Sequence, residues 1–124
     1  MGKILAVDDN EKITQIITRM LENDGHEVIT ANSGAECLKI LKTVKPDLIL
    51  MDVMMPNMDG WETVHEIKKD KSNKDIKISM LTIRNTENDM IKSIDGDSGA
   101  DWHLAKPISK KRLLEDVEWL LKQK

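Results

Sequence analysis

The chain predicts an α/β fold, a parallel sheet wound on both faces by helices, and three observations carry that expectation. Short apolar runs recur, Ile4-Leu5-Ala6-Val7 and Leu48-Ile49-Leu50-Met51 among them. Amphipathic stretches of helix length separate them. Charged residues close them: Asp8 and Asp9 the first, Asp52 the second, and Lys106, before Pro107, a later one. Short apolar runs alternating with helices read as parallel strands buried on both faces. Their carboxyl ends then lie side by side. Ligands of open parallel sheets bind in the crevice beyond those ends, so the three acids and the lysine would converge there.

A length of 124 residues with 40% hydrophobic content fits one domain, residues 1–124, around one core. Five strand-then-helix repeats fill it, with no low-complexity linker. The first strand is expected at about Lys3–Val7, followed by a helix with Ile13, Ile16, Ile17, Met20 and Leu21 on one stripe. That helix stops near Asp24-Gly25, where the glycine suits a left-handed cap. The second strand is expected at about Glu27–Ala31, and Ser33-Gly34-Ala35-Glu36 then reads as a capping box. Pro46 marks the break before a third strand at about Asp47–Met51. Asp59-Gly60-Trp61-Glu62 repeats the spacing from acceptor to glutamate. A fourth strand at about Ile76–Thr82 precedes a stretch, Thr86 to Ser98, that would carry the fourth helix. Its stripe of Met90, Ile91 and Ile94 is thin, so this helix is expected to be the least stable. A fifth strand follows at about Ala100–Ala105. Ser109 then caps a last helix with Leu113, Leu114, Val117, Leu120 and Leu121 in register. Alternation of this kind implies right-handed crossovers, and five units suit the flavodoxin-like order better than a six-stranded dinucleotide fold.

Composition narrows the function classes. Nineteen Lys+Arg against 22 Asp+Glu give a formal net charge of −3, no basic field for nucleic acid. Direct nucleic-acid binding is therefore not expected. No apolar run is long enough to span a bilayer, the first residues lack a signal-peptide core, and Ala6 breaks the myristoylation pattern, so a cytoplasmic protein without membrane insertion is expected. Cys37 is the sole cysteine, which excludes a disulfide framework, and beside Leu38 and Leu41 it reads as a small core hydrophobe. Three tryptophans, without Phe or Tyr, offer little for base stacking.

Taken singly, each strand-end residue has an ordinary reading. Asp8-Asp9 would be a helix cap with a solvated charge, Asp52 a turn residue before Pro56, Lys106 a surface lysine and Thr82 a β-branched strand residue. Taken together they point to phosphoryl chemistry. Ionised carboxylates gathered in one crevice repel unless a cation neutralises them, and magnesium takes carboxylate, water and phosphate oxygens. An aspartate can itself attack phosphorus, and Asp52, closing a central strand, is the nucleophile candidate. Lys106 would set a positive charge, and Thr82 a hydroxyl, against the transferring oxygens.

The ordered motifs Val7-Asp8-Asp9, Asp52 with Met55-Pro56 and Asp59-Gly60, Leu81-Thr82, and Gly99-Ala100-Asp101 leading to Lys106-Pro107 resemble a response-regulator receiver domain. The resemblance covers nearly the whole chain. It implies a (βα)5 sheet in the order 2-1-3-4-5 and a signalling role rather than an enzymatic one. It implies that Asp52 accepts a phosphoryl group from a histidine kinase or a histidine phosphotransfer protein. Asp9 and Asp52 would ligate Mg²⁺ directly, Asp8 through water, and the Met54 carbonyl would complete the protein ligands. Thr82 and Lys106 would contact the phosphoryl oxygens, and the Lys106-Pro107 peptide would be cis. Movement of Thr82 would pass the signal to the face of the fourth helix, fifth strand and fifth helix. An output protein, or a second copy of the chain in a homodimer, would bind that face.

Several positions depart from the family pattern. His103 stands where an aromatic switch residue is usual, and a histidine is smaller, polar and titrates near neutrality. Trp102 should point to the opposite sheet face. Ile83 follows Thr82 where a small residue is favoured. Met54 and Arg84 offer no acid or amide to orient water, so these three positions predict a long-lived phosphorylated state. The stretch from Thr86 to Ser98 exceeds the family norm by about a residue or two, with an Asp95-Gly96-Asp97 turn inside. Three rivals stand beside the main reading. An aspartyl-phosphate hydrolase usually needs a second acid where this chain has Met54. A flavodoxin-type carrier needs a phosphate loop unlike Asp8-Asp9-Asn10-Glu11. A receiver-like binding module that is never phosphorylated is the third.

Overall fold

Residues 2–82, 102–105 and 109–123 are described by the structure, a computed structural model, with the backbone alone for 82 and 102–105. Five strands, β1 (Lys3–Val7), β2 (Glu27–Ala31), β3 (Leu48–Asp52), β4 (Lys77–Thr82) and β5 (Trp102–Ala105), pair in one parallel sheet. The order is β2-β1-β3-β4-β5, a flavodoxin-like arrangement. The first two strands match their expected bounds. The third begins and ends one residue later than expected, so Asp52 is the last residue of the strand and not the first of the turn. The fourth starts at Lys77, one residue late. The segment expected to carry the fourth helix, with Ile83 and Arg84, and the Lys106-Pro107 pair lie outside the described residues.

Strand alternation decides which helix covers which face. Ile4, Ala6, Leu48, Leu50 and Leu81 pack with Ile17 and Leu21 of helix α1 (Glu11–Asn23) and with Leu113, Val117 and Leu120 of the C-terminal helix (Lys110–Lys122). The alternate residues Leu5, Val7, Ile49, Met51, Ile78 and Met80 meet Cys37 of α2 (Gly34–Ile40) and Val64 and Ile67 of α3 (Gly60–Lys68). Ser79 shares the first face and is fully buried. Its hydroxyl finds no hydrogen-bond partner among the described residues.

The helix ends follow their local signals. Ser109 accepts from the Arg112 amide, and Asp59 and Glu62 form a complete capping box. At Ser33 only half of the expected box forms: its hydroxyl accepts from the Glu36 amide, while the Glu36 carboxylate accepts from Asn32, one residue earlier. Gly25, at φ 92, ends α1 in a Schellman motif, with its amide bonded to the Glu22 carbonyl and that of His26 to Leu21. The α1 stripe is turned from the one expected. Thr14 is buried and Ile16 is 48% exposed, because the packed face centres on Ile17 and leaves Ile16 at its edge.

Candidate functional site

The register brings two acids together before any side chain is considered. Val7 pairs with Met51, so the next residues, Asp8 and Asp52, stand side by side where β1 and β3 end. Both are buried, at 1% and 2% exposure, while Asp9 is exposed. One carboxylate oxygen from each of the three lies within 4.8 Å of the others.

Backbone bonds hold the two loops that present these acids. The Asp8 amide extends the sheet by donating to the Ala31 carbonyl, and its carboxylate accepts from the Asn10 amide at 2.9 Å. Asn10, not Asp8 or Asp9, caps α1, its side chain accepting from the Lys12 amide. The helix-cap reading of Asp8-Asp9 is thereby corrected. After β3, the Val53 amide donates to the Leu81 carbonyl, and the Gly60 amide to the Val53 carbonyl at 2.9 Å. The segment between, residues 54–59, turns tightly at Asn57, whose φ is 70, with the Met58 amide bonded to the Pro56 carbonyl. Met54 is 65% exposed at the start of this loop.

Electrostatics restrict what such a cluster can be. At an effective dielectric of about 20, two unit charges 4.8 Å apart repel by about 3.5 kcal/mol. Positive charge in the crevice relieves this. An all-oxygen donor set suits a hard divalent cation such as Mg²⁺ and not a thiophilic metal. Thr82 ends β4 beside Ala105 of β5, and His103 pairs with Met80, so both backbones reach the same sheet. Sequence reasoning did not single out Asn10 as the residue that anchors Asp8. Its signal was present, an Asn directly before the acidic first turn of a helix. A cavity of about 610 Å³ among the described residues runs between α1 and the β2 edge and is not lined by the three aspartates.

Comparison with known proteins agrees with this geometry. A family model described as "Response regulator receiver domain" matches residues 4–118. The chain belongs to that family. Among curated relatives of this receiver domain, the alkaline phosphatase synthesis transcriptional regulatory protein PhoP of Bacillus subtilis is 39% identical over 121 residues, covering 98% of this chain and 49% of PhoP. Response regulator MprA of Mycobacterium leprae is similarly covered, at 51% of its length, so the receiver domain spans about half of these two relatives. Protein PilH of Pseudomonas aeruginosa differs in scale: it is 31% identical, with 98% of each chain covered. Chemotaxis protein CheY4 of Vibrio cholerae superposes with a TM-score of 0.90 at 33% identity over 97% of this chain and 98% of its own. No helix among the described residues of this receiver domain is long and apolar enough to cross a membrane.

Proposed function

We propose that this receiver domain is a cytoplasmic phosphorelay module in which Asp52 is the phosphoacceptor. The observation that carries the reading is the gathering of Asp8, Asp9 and Asp52 within 4.8 Å at the ends of two adjacent strands. A carboxylate oxygen of Asp52 attacks phosphorus, and the bond to the donor histidine of a kinase or phosphotransfer protein breaks. The proton needed by the departing imidazole comes from solvent. Asp8, Asp9, Asp52 and the Met54 carbonyl are the candidate holders of Mg²⁺, which when bound neutralises the cluster and polarises the phosphoryl oxygens. Thr82 and Lys106 contact those oxygens. Thr82 and His103 act as the switch, and the signal leaves by binding an output protein, or a second copy of the chain, through the face of the fourth helix, fifth strand and fifth helix. Ile83, Met54 and Arg84 favour a slow loss of the phosphoryl group.

The test uses a small-molecule phosphoryl donor with Mg²⁺ and reads intact mass. Wild type should gain one phosphoryl group, whereas Asp52→Asn and a metal-free sample should gain none. A wild type without metal-dependent gain would leave the rival of a non-phosphorylated binding module. Decay of the modified protein within seconds would refute the slow-loss reading.

A further inference from the structure

The loop that follows Asp52 is closed by a residue without a side chain. Gly60 is buried at the first position of α3, and a Cβ built on it would overlap the backbone oxygen of Asp52 and lie 2.9 Å from the Cα of Val53. All of these neighbours are backbone atoms, so no change of rotamer makes room. Conformation does not demand glycine here, since the one described glycine with positive φ is Gly25. Alanine is the better helix former, so close approach is the reason for glycine at this place. Neither wall can retreat. Every residue of β3 is buried, and Thr63, Val64 and Ile67 anchor α3 with no exposure. Between the walls lies the segment 54–59, which begins with Met54.

We propose that Gly60 is a positioning residue for phosphoryl transfer: its missing side chain lets the start of α3 close on the Asp52 backbone, and this contact sets the aim of the Asp52 carboxylate and the Met54 carbonyl. The inference rests on Asp52 being the acceptor. A side chain at position 60 pushes strain into residues 53–59, displacing the Met54 carbonyl and, through the Val53 peptide, turning the Asp52 carboxylate about its own side-chain bonds while β3 and the two sheet faces stay packed.

The experiment compares Gly60→Ala with Leu21→Ala, a fold-weakening change in α1 at the other end of the sheet. Urea unfolding gives stability, tryptophan fluorescence gives Mg²⁺ affinity, and intact mass gives the rate of phosphoryl uptake from the small-molecule donor. Gly60→Ala should take up phosphoryl at least tenfold more slowly at saturating Mg²⁺ and bind Mg²⁺ more weakly, while folded Leu21→Ala stays within about twofold of wild type. Equal rates in the two variants overturn the proposal. Should Gly60→Ala not fold, amide resonances of wild type decide: on adding Mg²⁺ the Gly60 amide should shift and exchange more slowly. An unmoved Gly60 amide beside shifted Asp52 and Met54 amides overturns it. A wild type that accepts no phosphoryl group removes the acceptor reading and this inference with it, whereas a fully active Gly60→Ala removes the inference alone.

Discussion

Alkaline pH should unfold this protein partly through its single thiol. Cys37 has no exposed surface in the layer between α2 and the sheet, and burial pushes its thiol up from 9.0 to about 12. In the unfolded chain the thiol ionises first. Above pH 9 the unfolded state therefore binds fewer protons than the folded one, and stability falls as pH rises toward 12. The slope is about 1.4 kcal/mol per pH unit in that window, which integrates to about 2 kcal/mol lost between neutrality and pH 10.5. The comparison is with Cys37→Ala, in which every other ionisable group is unchanged. At pH 7.5 under reducing conditions the variant should be less stable by about 1–2 kcal/mol, for lost packing. By pH 10.5 that gap should close or reverse. Urea unfolding followed by circular dichroism at pH 7.5, 9 and 10.5 measures it. A gap that stays constant across the three pH values refutes the burial argument.

Three further changes test the framework around the site. Ser79→Ala removes a buried hydroxyl that has no partner among the described residues and should raise stability by about 1 kcal/mol in urea unfolding; a loss of that size would reveal a partner. Asp59→Ala removes the acceptor of the Glu62 amide in the α3 capping box, leaves the residue-59 amide to donate to the Glu62 carboxylate, and should cost about 1 kcal/mol, read from the same denaturant curves. Asn57, at φ 70, should tolerate glycine within about 0.5 kcal/mol but lose about 1–3 kcal/mol on substitution by valine, as thermal melting will show.

What could be read without coordinates follows the range of the force involved. Ser109, Asp59 and Gly25 act within one turn of the chain, so their caps are legible from spacing alone. The buried runs around Leu5 and Ile49 are legible because strands covered on both faces must be apolar throughout. The acid cluster was legible once strand ends were aligned. The strand order itself came with the family resemblance, not from periodicity. Ile16 was misplaced because a helical stripe has edges, and only the neighbouring strands decide which edge is covered. The close approach at Gly60 was not legible, since it depends on the Asp52 and Val53 backbone outside its own helix turn, whereas the Asn10 amide acts on the Asp8 carboxylate two residues away. Thr82 and His103 are placed here by backbone register alone.

The complete burial of β3 has a mechanical consequence. Amide exchange is slowest where opening requires the whole fold to come apart, and a central strand paired on both edges and covered on both faces belongs to that class. Asp52 is thus mounted on one of the stiffest parts of the molecule. Were a dianionic group attached there, as proposed above, bending of its own support would not accommodate it, and the work of adjustment would fall on the turns beyond the strand ends. The sheet would serve as an anvil, and a shape change following the modification proposed above would be spent in the segments that face it.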